Sequence, residues 1–518
     1  MERTKWIDIR GNHDAFNIIS LDSINNYYRK YSANQKVGSF HYVHQTAFGN
    51  YSFICVDATL TPGPKRPYNF FGILNQTHMD LLNSFRAESL RSNQSIWFGH
   101  YTTSTIVSPA PGVRDMMRAA VAYLCGHLHT LGGLMPVLHS RHPRGTLELE
   151  LGDWMDNRRF RVVAFDHDLL SFSDLQFEQW PAVLVTNPKD AQYVHPGVEP
   201  LGRIPKSTHI RILAFSEAPI TAVHVSVDGE ALGKAHCAGG PLYVLLWDPF
   251  VYLTGLHRIT VKVEDSAGRS AVREQHFTLE DALTPSFGFV QSFILLTDHY
   301  ILGRVLFIST VLLNMGVLLA FRFHQLPNED ERSGLGCFPG LTSSVLMSLH
   351  LISKTNTFYY SLMLFNLFTA FGPWFIGELI DGHSGACFSF GVFIDGHFLE
   401  GSLTYVVGVI QLLFFNIPLT SYLCWSLLHR HRHNSSFRSH FVRSGCHWRL
   451  LGVHLLMLLL LTWQAHSCYF LLETYGLMAF FLSPVRTWAF GLSLLLIRHA
   501  WTGLFPFPPD HGKRAVSL

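Results

Sequence analysis

The sequence predicts a chain in three parts: a layered α/β (α+β) domain over residues 1–180, a β-sandwich over 181–280, and an α-helical transmembrane region over 281–518. Three observations carry this expectation. Only 15% of the 518 residues are charged, against roughly 25% in an ordinary soluble domain, and the first 280 residues hold most of those charges while long Leu, Phe and Val runs fill the chain after residue 280. Residues 1–180 hold short apolar runs that end in Gly, His or Asp, the texture of strands closing into loops. From residue 181 the pattern becomes short alternating strands with turn signals. Composition also excludes whole classes. The chain is too apolar to be disordered, and a formal charge of +2 without a basic stripe argues against nucleic-acid binding. The eight cysteines are scattered, with no CxxC pair.

In the first part, Lys5–Arg10, Tyr51–Val56, Gln94–Phe98 and Val121–Cys125 read as strands. Leu74–Ser89 reads as a helix, because Leu74, Met79, Leu81, Leu82 and Phe85 recur at helical spacing. In the second part, Ile220–Val227 runs into Asp228-Gly229, a hairpin turn pair, and His257–Val263 forms a further strand. The length matches that of an immunoglobulin-like module. In the third part, about five stretches approach the ~20 apolar residues that a spanning helix needs: Val305–Phe321, Phe358–Ile380, Leu403–Leu428, Leu450–Leu472 and Tyr475–Ile497, the last interrupted by Pro484 and Arg486.

Loop charges orient these spans. Arg322, Arg332 and Lys354 follow the first, and Arg430, Arg432, Arg438, Arg443 and Arg449 follow the third. Arg498, Lys513 and Arg514 follow the last, whereas the remaining loops offer Asp381, Asp395, Glu400 and Glu473. The positive-inside bias places the first set and the C-terminus in the cytosol, and the soluble domains on the lumenal or extracellular side. Glycosylation sequons at Asn50, Asn75 and Asn93 agree with that side. No signal peptide precedes them, so an upstream segment is expected to be missing from this N-terminally truncated chain. His429–His433 reads as a positive-inside anchor that also attracts acidic membrane lipids. Glu378 and Arg486 fall near the lumenal ends of their spans, where they could pair with each other or each snorkel to the interface.

Three histidine motifs follow predicted strands: Gly11-Asn12-His13-Asp14, Gly99-His100 and Gly126-His127-Leu128-His129. Loops at strand ends line the crevice of a layered α/β fold, and glycine lets the backbone turn closely around an ion or phosphate. Imidazole is the commonest transition-metal ligand, and an Asn carbonyl oxygen can join it. Asp57, Asp153, Asp156 and His167 read as turn or surface residues, and His41 and His44 as structural histidines.

In this order the three motifs resemble the C-terminal three of the five motifs of calcineurin-like metallophosphoesterases. The whole layout, with Leu151-Gly-Asp-Trp-Met-Asp-Asn-Arg-Arg-Phe160 ahead of a sandwich, resembles the transmembrane protein 62 family. The resemblance implies that Asn12, His100 and His127 ligate one divalent transition-metal ion and His129 belongs to a second. His13, oriented by Asp14, would serve the leaving oxygen, and a metal-activated hydroxide would attack a phosphate-ester substrate. In those enzymes an Asp-x-His and a Gly-Asp-x-x-Asp motif come earlier, and only ten residues precede Gly11 here. The expectation is therefore a multi-pass membrane protein with a metal-dependent phosphoesterase-like domain, impaired as a hydrolase and holding at most one metal ion. The alternative is a non-catalytic membrane protein that uses both soluble domains to bind protein partners. A transporter is disfavoured by the absence of an inverted repeat.

Overall fold

A computed structural model of the chain describes residues 4–280, 283–325, 339–400, 403–433 and 448–503. It divides into two compact units. The first holds residues 1–14, 21–59 and 72–298, and the second holds 15–20, 60–71 and 299–518.

The first unit is built on a six-stranded sheet. Its order is His41–Thr46, Gly49–Val56, Gln94–Gly99, Ala122–Cys125, Leu147–Glu150, His139–Arg141. The four middle strands are parallel, and the two outer ones are antiparallel to their neighbours. Alternation sends successive side chains to opposite faces. Ile54, Val56, Trp97 and Tyr123 pack on one face against Met79 and Leu82 of the helix Gln76–Ser89. Ile96, Ala122, Leu147 and Leu149 pack on the other against Leu170 and Phe172, from the hairpin Arg159–Asp166/Leu169–Gln176.

Lys5–Arg10 is not a strand. Its polar side chains bind loops instead of leaving the backbone to a ladder: Asp8 accepts hydrogen bonds from Ser32 Oγ and from the amides of Ala33 and Asn34, and Arg10 pairs with Asp57.

Two four-stranded antiparallel sheets follow. One runs Ala182–Asn187, His209–Phe215, Leu242–Leu246, His236–Gly239; the other runs Glu230–Lys234, Ile220–Val227, His257–Asp265, Ser270–Phe277. Val183, Val185, Ile210 and Ile212 face Val223, Val225, Val261 and Val263 in one core. Asp228 (φ 51°) and Gly229 (φ 89°) adopt the left-handed conformations that a tight hairpin turn demands.

In the second unit, three helices among the described residues are long and apolar enough to cross a membrane: His299–Phe323, Thr404–Arg432 and Leu451–Phe481. The bounds of the expected second and fifth spans are corrected. Helix Asn356–Phe371 ends at Gly372, which is extended (φ −79°, ψ 163°) ahead of Pro373, because a residue before proline avoids the helical region. Phe375–Ile380 is then the first strand of an antiparallel sheet completed by His383–Phe388, Gly391–Ile394 and His397–Glu400. The fifth stretch is broken at Gly476 (φ 83°) and again at Ser483, extended before Pro484, and helix resumes over Ala489–Thr502.

Glu378 and Arg486 do not pair. Glu378 is an exposed strand residue, whereas Arg486 donates to the side-chain oxygen of Gln411 and lies over the Trp463 ring. Of the orienting charges, Arg332, Arg438, Arg443, Lys513 and Arg514 lie outside the described residues.

Candidate functional site

The three histidine motifs lie at the carboxyl ends of the parallel strands, where layered α/β folds place their ligands. Gly99-His100 ends one strand, Gly126-His127 ends its neighbour, and Glu150 ends the next. The first motif reaches the same edge without a strand of its own. It is held there by Arg10, whose guanidinium donates to Asp57 at 3.0 and 2.7 Å with both side chains buried. Asp57 directly follows the strand Gly49–Val56, so the pair ties the motif to the end of that strand. Asp14 accepts a hydrogen bond from the Gly11 amide at 2.8 Å and closes the short helical turn Asn12–Ala15.

At the centre, His100 Nε2 lies 2.9 Å from Asn12 Oδ1 and 3.0 Å from His127 Nδ1. Asn12 and His127 are buried, and the His100 and His127 rings meet edge to face. Gly11 suits this closeness, since a β-carbon there would sit 3.0 Å from the His100 ring, tight enough that the ring would have to shift by a few tenths of an ångström. Burial pushes the His100 imidazole down to about 4, and the neighbouring His129 and His13 push in the same direction. At neutral pH His100 is therefore uncharged, with a lone pair free to ligate. His13 and Asp14 are exposed at the rim.

The loop that carries His127 and His129 is fixed from below. Glu150 Oε1 accepts from the amides of His127, Leu128 and His129 at 3.0, 2.6 and 2.9 Å. Burial nevertheless raises this carboxyl to about 8, against those donors. His129, Thr130 and Leu131 all have positive φ, between 50° and 56°, a run that costs strain for non-glycine residues. Asp153 caps its own turn through the Asp156 and Asn157 amides and feels the charge of His129.

These donors suit one cation. Ligands about 2.1 Å from one ion lie about 3 Å apart in octahedral and about 3.4 Å apart in tetrahedral geometry, close to the 2.9 and 3.0 Å that Asn12 and His127 keep from His100. Two imidazoles and an amide oxygen also form a common donor set for a divalent transition metal. Among the described residues, however, no three His, Cys, Asp or Glu side chains group as metal ligands, and a second position rests on His129 alone.

His41, His44 and His167, read from sequence as structural or surface residues, keep structural partners. His41 bonds Glu88 and Ser52, His44 is exposed beside Tyr42, and His167 pairs with Asp166. Asn50, Asn75 and Asn93 are all exposed. Arg10, Asp57 in its paired role, and Glu150 escaped sequence reasoning. The signal for Glu150 was available: acids alternating in Leu147-Glu-Leu-Glu150 within a strand that is buried throughout.

Two family models match the chain, the TMEM62 Ig-like domain over residues 177–283 and the TMEM62 C-terminal domain over 294–484. The mouse protein "Transmembrane protein 62" is 57% identical over 502 residues, covering 97% of this chain and 77% of that relative. An Arabidopsis thaliana protein provisionally named a metallophosphoesterase is 27% identical over 243 residues, covering 38% of this chain and 32% of its own length. The fibronectin(III)-like modules of Clostridium thermocellum CbhA share 20% identity over 25% of this chain and 65% of theirs, at a TM-score of 0.14 that is too low to inform the fold.

Proposed function

The chain belongs to the transmembrane protein 62 family and is a membrane protein; from that premise, we propose that its layered N-terminal domain is of metallophosphoesterase type and binds a divalent transition-metal ion together with a phosphate ester, whose hydrolysis is impaired relative to a complete two-metal site. The carrying observation is that Asn12 Oδ1 and His127 Nδ1 each lie within 3.0 Å of His100 Nε2 at the carboxyl edge of a parallel sheet. The distant plant relative supports the same reading.

In this proposal Asn12, His100 and His127 hold the ion, with His129 beside them. The bound ion would supply Lewis-acid polarisation of a phosphoryl oxygen. His13, exposed beside the ligand Asn12, donates a proton to the leaving oxygen, a role worth roughly 10²–10⁴ in rate. Gly11 keeps the His100 ring accessible, and Glu150 keeps the His127–His129 loop in place. A second reading, binding without turnover, is favoured by one observation: among the described residues no carboxylate joins the histidine cluster as a ligand.

Purified full chain, loaded with manganese or zinc and assayed on a chromogenic phosphodiester, separates these readings. One equivalent of metal that His100→Ala and His127→Ala abolish, with cleavage that His13→Ala removes while metal is kept, supports hydrolysis. The same metal content without cleavage supports the binding reading. No bound metal refutes both.

A further inference from the structure

We infer that the second unit carries a binding groove for an anionic phospholipid, with the acyl chain between helices His299–Phe323, Pro339–Lys354 and Ile417–His433 and the phosphate at Arg432. The groove has a volume of about 470 Å³. Its walls include Leu313 and Val317 from the first helix, Leu341 and Val345 from the second, and Ile417 and Leu428 from the third.

The lining also counts hydroxyl and amide side chains, of which Ser348, Thr420 and Asn314 bond within the protein. Ser348 donates to the Val345 carbonyl and Thr420 to the Asn416 carbonyl. Asn314 donates to Asn366. Hydroxyls folded back on their own helix leave an apolar surface. Leu313 and Leu341 are each about two-thirds exposed (68% and 67%), so the groove is open to the membrane.

One end of the groove is polar. Arg432, exposed at the end of its helix, donates to Ser344 Oγ at 2.7 Å, and Ser344 is itself a groove residue. The groove therefore runs directly into a guanidinium. Among the described residues, no carboxylate lies within ion-pair distance of Arg432, Arg322 or Lys354. Their hydrogen-bond partners are Ser344 for Arg432, the Ser353 and Lys354 carbonyls and Asn356 for Arg322, and the Arg322 carbonyl for Lys354. Among the described residues, this cationic charge has no carboxylate partner and is open to an anionic ligand. From Ile417 to Leu428 the helix rises about 16 Å, close to half of the ~30 Å hydrocarbon core, so the apolar wall has the depth of one leaflet's acyl chains. Trp425, in the groove wall towards the Arg432 end, is a residue type that favours the headgroup level. An apolar wall one leaflet deep that ends in an arginine with no carboxylate partner among the described residues is complementary to a phospholipid with net negative charge.

The test uses full chain in detergent, supplied with equal dioleoyl phosphatidylserine and dioleoyl phosphatidylcholine, and reads retained lipid by native mass spectrometry. Phosphatidylserine is expected to be retained over phosphatidylcholine by about fivefold, the factor that one basic side chain contributes at an anionic surface. Arg432→Gln should erase the preference and Arg432→Lys should keep most of it. Val345→Trp, which fills the groove, should lower retention of both lipids. Equal retention of the two lipids by the parent chain, an unchanged preference in Arg432→Gln, or unchanged retention in Val345→Trp would each overturn the inference. Arg432 is exposed, so its variants decide the headgroup question even if Val345→Trp folds poorly.

Discussion

At Gly11 the backbone passes so near the His100 ring that a methyl group must displace one of them. Adding volume at a packed contact costs ~1–3 kcal/mol, and here the strain falls on a proposed ligand. Gly11→Ala is expected to lower metal affinity at least tenfold while the thermal midpoint moves by only a few degrees. Metal titration beside a melt checks this, and unchanged affinity would show that the His100 position is immaterial. The need for glycine was legible in the sequence, as were the three histidines. The Arg10–Asp57 pair was not, because the two residues lie 47 positions apart and nothing local marks them as partners.

His195 offers a second test at this scale. It is 3% exposed, and among the described residues neither ring nitrogen has a hydrogen-bond partner. Burial, reinforced by the positive Arg141 and Lys189 and by His142, pushes it down to about 4 from an ordinary 6.5. The fold therefore selects the neutral ring. Above pH 6.5 this costs nothing, because the unfolded chain is neutral there too. As pH falls from 6.5 towards 4 the unfolded chain takes up a proton that the folded one refuses, so stability declines. His195→Leu should flatten that part of the melting-temperature profile, and coincident profiles for variant and parent would dismiss the effect.

Among the elements, helix Gln76–Ser89 shows how one residue serves two readings. Asn75 is its N-cap: the side chain accepts from the His78 amide at 2.9 Å, and His78 Nδ1 accepts from the Asn75 amide in return. Asn75 also heads a proposed glycosylation sequon. Losing the cap should cost ~1 kcal/mol, so Asn75→Ala should lower stability by about that amount. Thr77→Ala removes the sequon alone and should leave stability of the unglycosylated chain unchanged. Equal losses from both variants would refute the cap argument.

Legibility varied between elements for a physical reason. The middle strands were readable because their apolar runs are buried on both faces. The sheet Phe375–Glu400 was not, since Phe375–Ile380 continues an apolar run that composition alone assigns to a span. The missed signal was Asp381-Gly382 and Asp395-Gly396, the same turn pair as Asp228-Gly229. Gly382, Asp395 and Gly396 all have positive φ, between 48° and 77°, as hairpin turns require.

Within the second unit, helix directions bear on how many times the chain crosses. Tyr300 and Phe307 contact Tyr405, while Leu313 and Val317 share a groove with Thr420 and Cys424, so His299–Phe323 and Thr404–Arg432 run parallel. Two parallel passes need a return between them. Helix Asn356–Phe371 provides it, because Arg322 bonds Asn356 whereas Asn314 bonds Asn366. Its 16 residues span about 24 Å, short of the ~30 Å core but within reach of a locally thinned bilayer. In the same way His454 meets Tyr422 and Gln464 meets Val485 and Arg486, while Arg486 meets Gln411 and Arg430 meets Ala500. Leu451–Phe481 therefore runs up against Thr404–Arg432, and Pro484–Thr502 runs back beside it. These directions support an expectation of five alternating passes, although among the described residues only three helices satisfy length and composition on their own. Five passes put the sheet Phe375–Glu400 on the membrane face opposite His324 and Thr502; three passes would put the sheet and His324 on the same face. Cysteines introduced at exposed Ser384, His324 and Thr502 decide between them. With five passes and the orientation proposed from loop charge, an impermeant maleimide applied to the cytosolic face of sealed vesicles should label His324→Cys and Thr502→Cys above the unsubstituted background. Ser384→Cys should react only after permeabilisation. Labelling of Ser384→Cys together with His324→Cys would reduce the count to three, and the reverse pattern across all three positions would invert the orientation while keeping five.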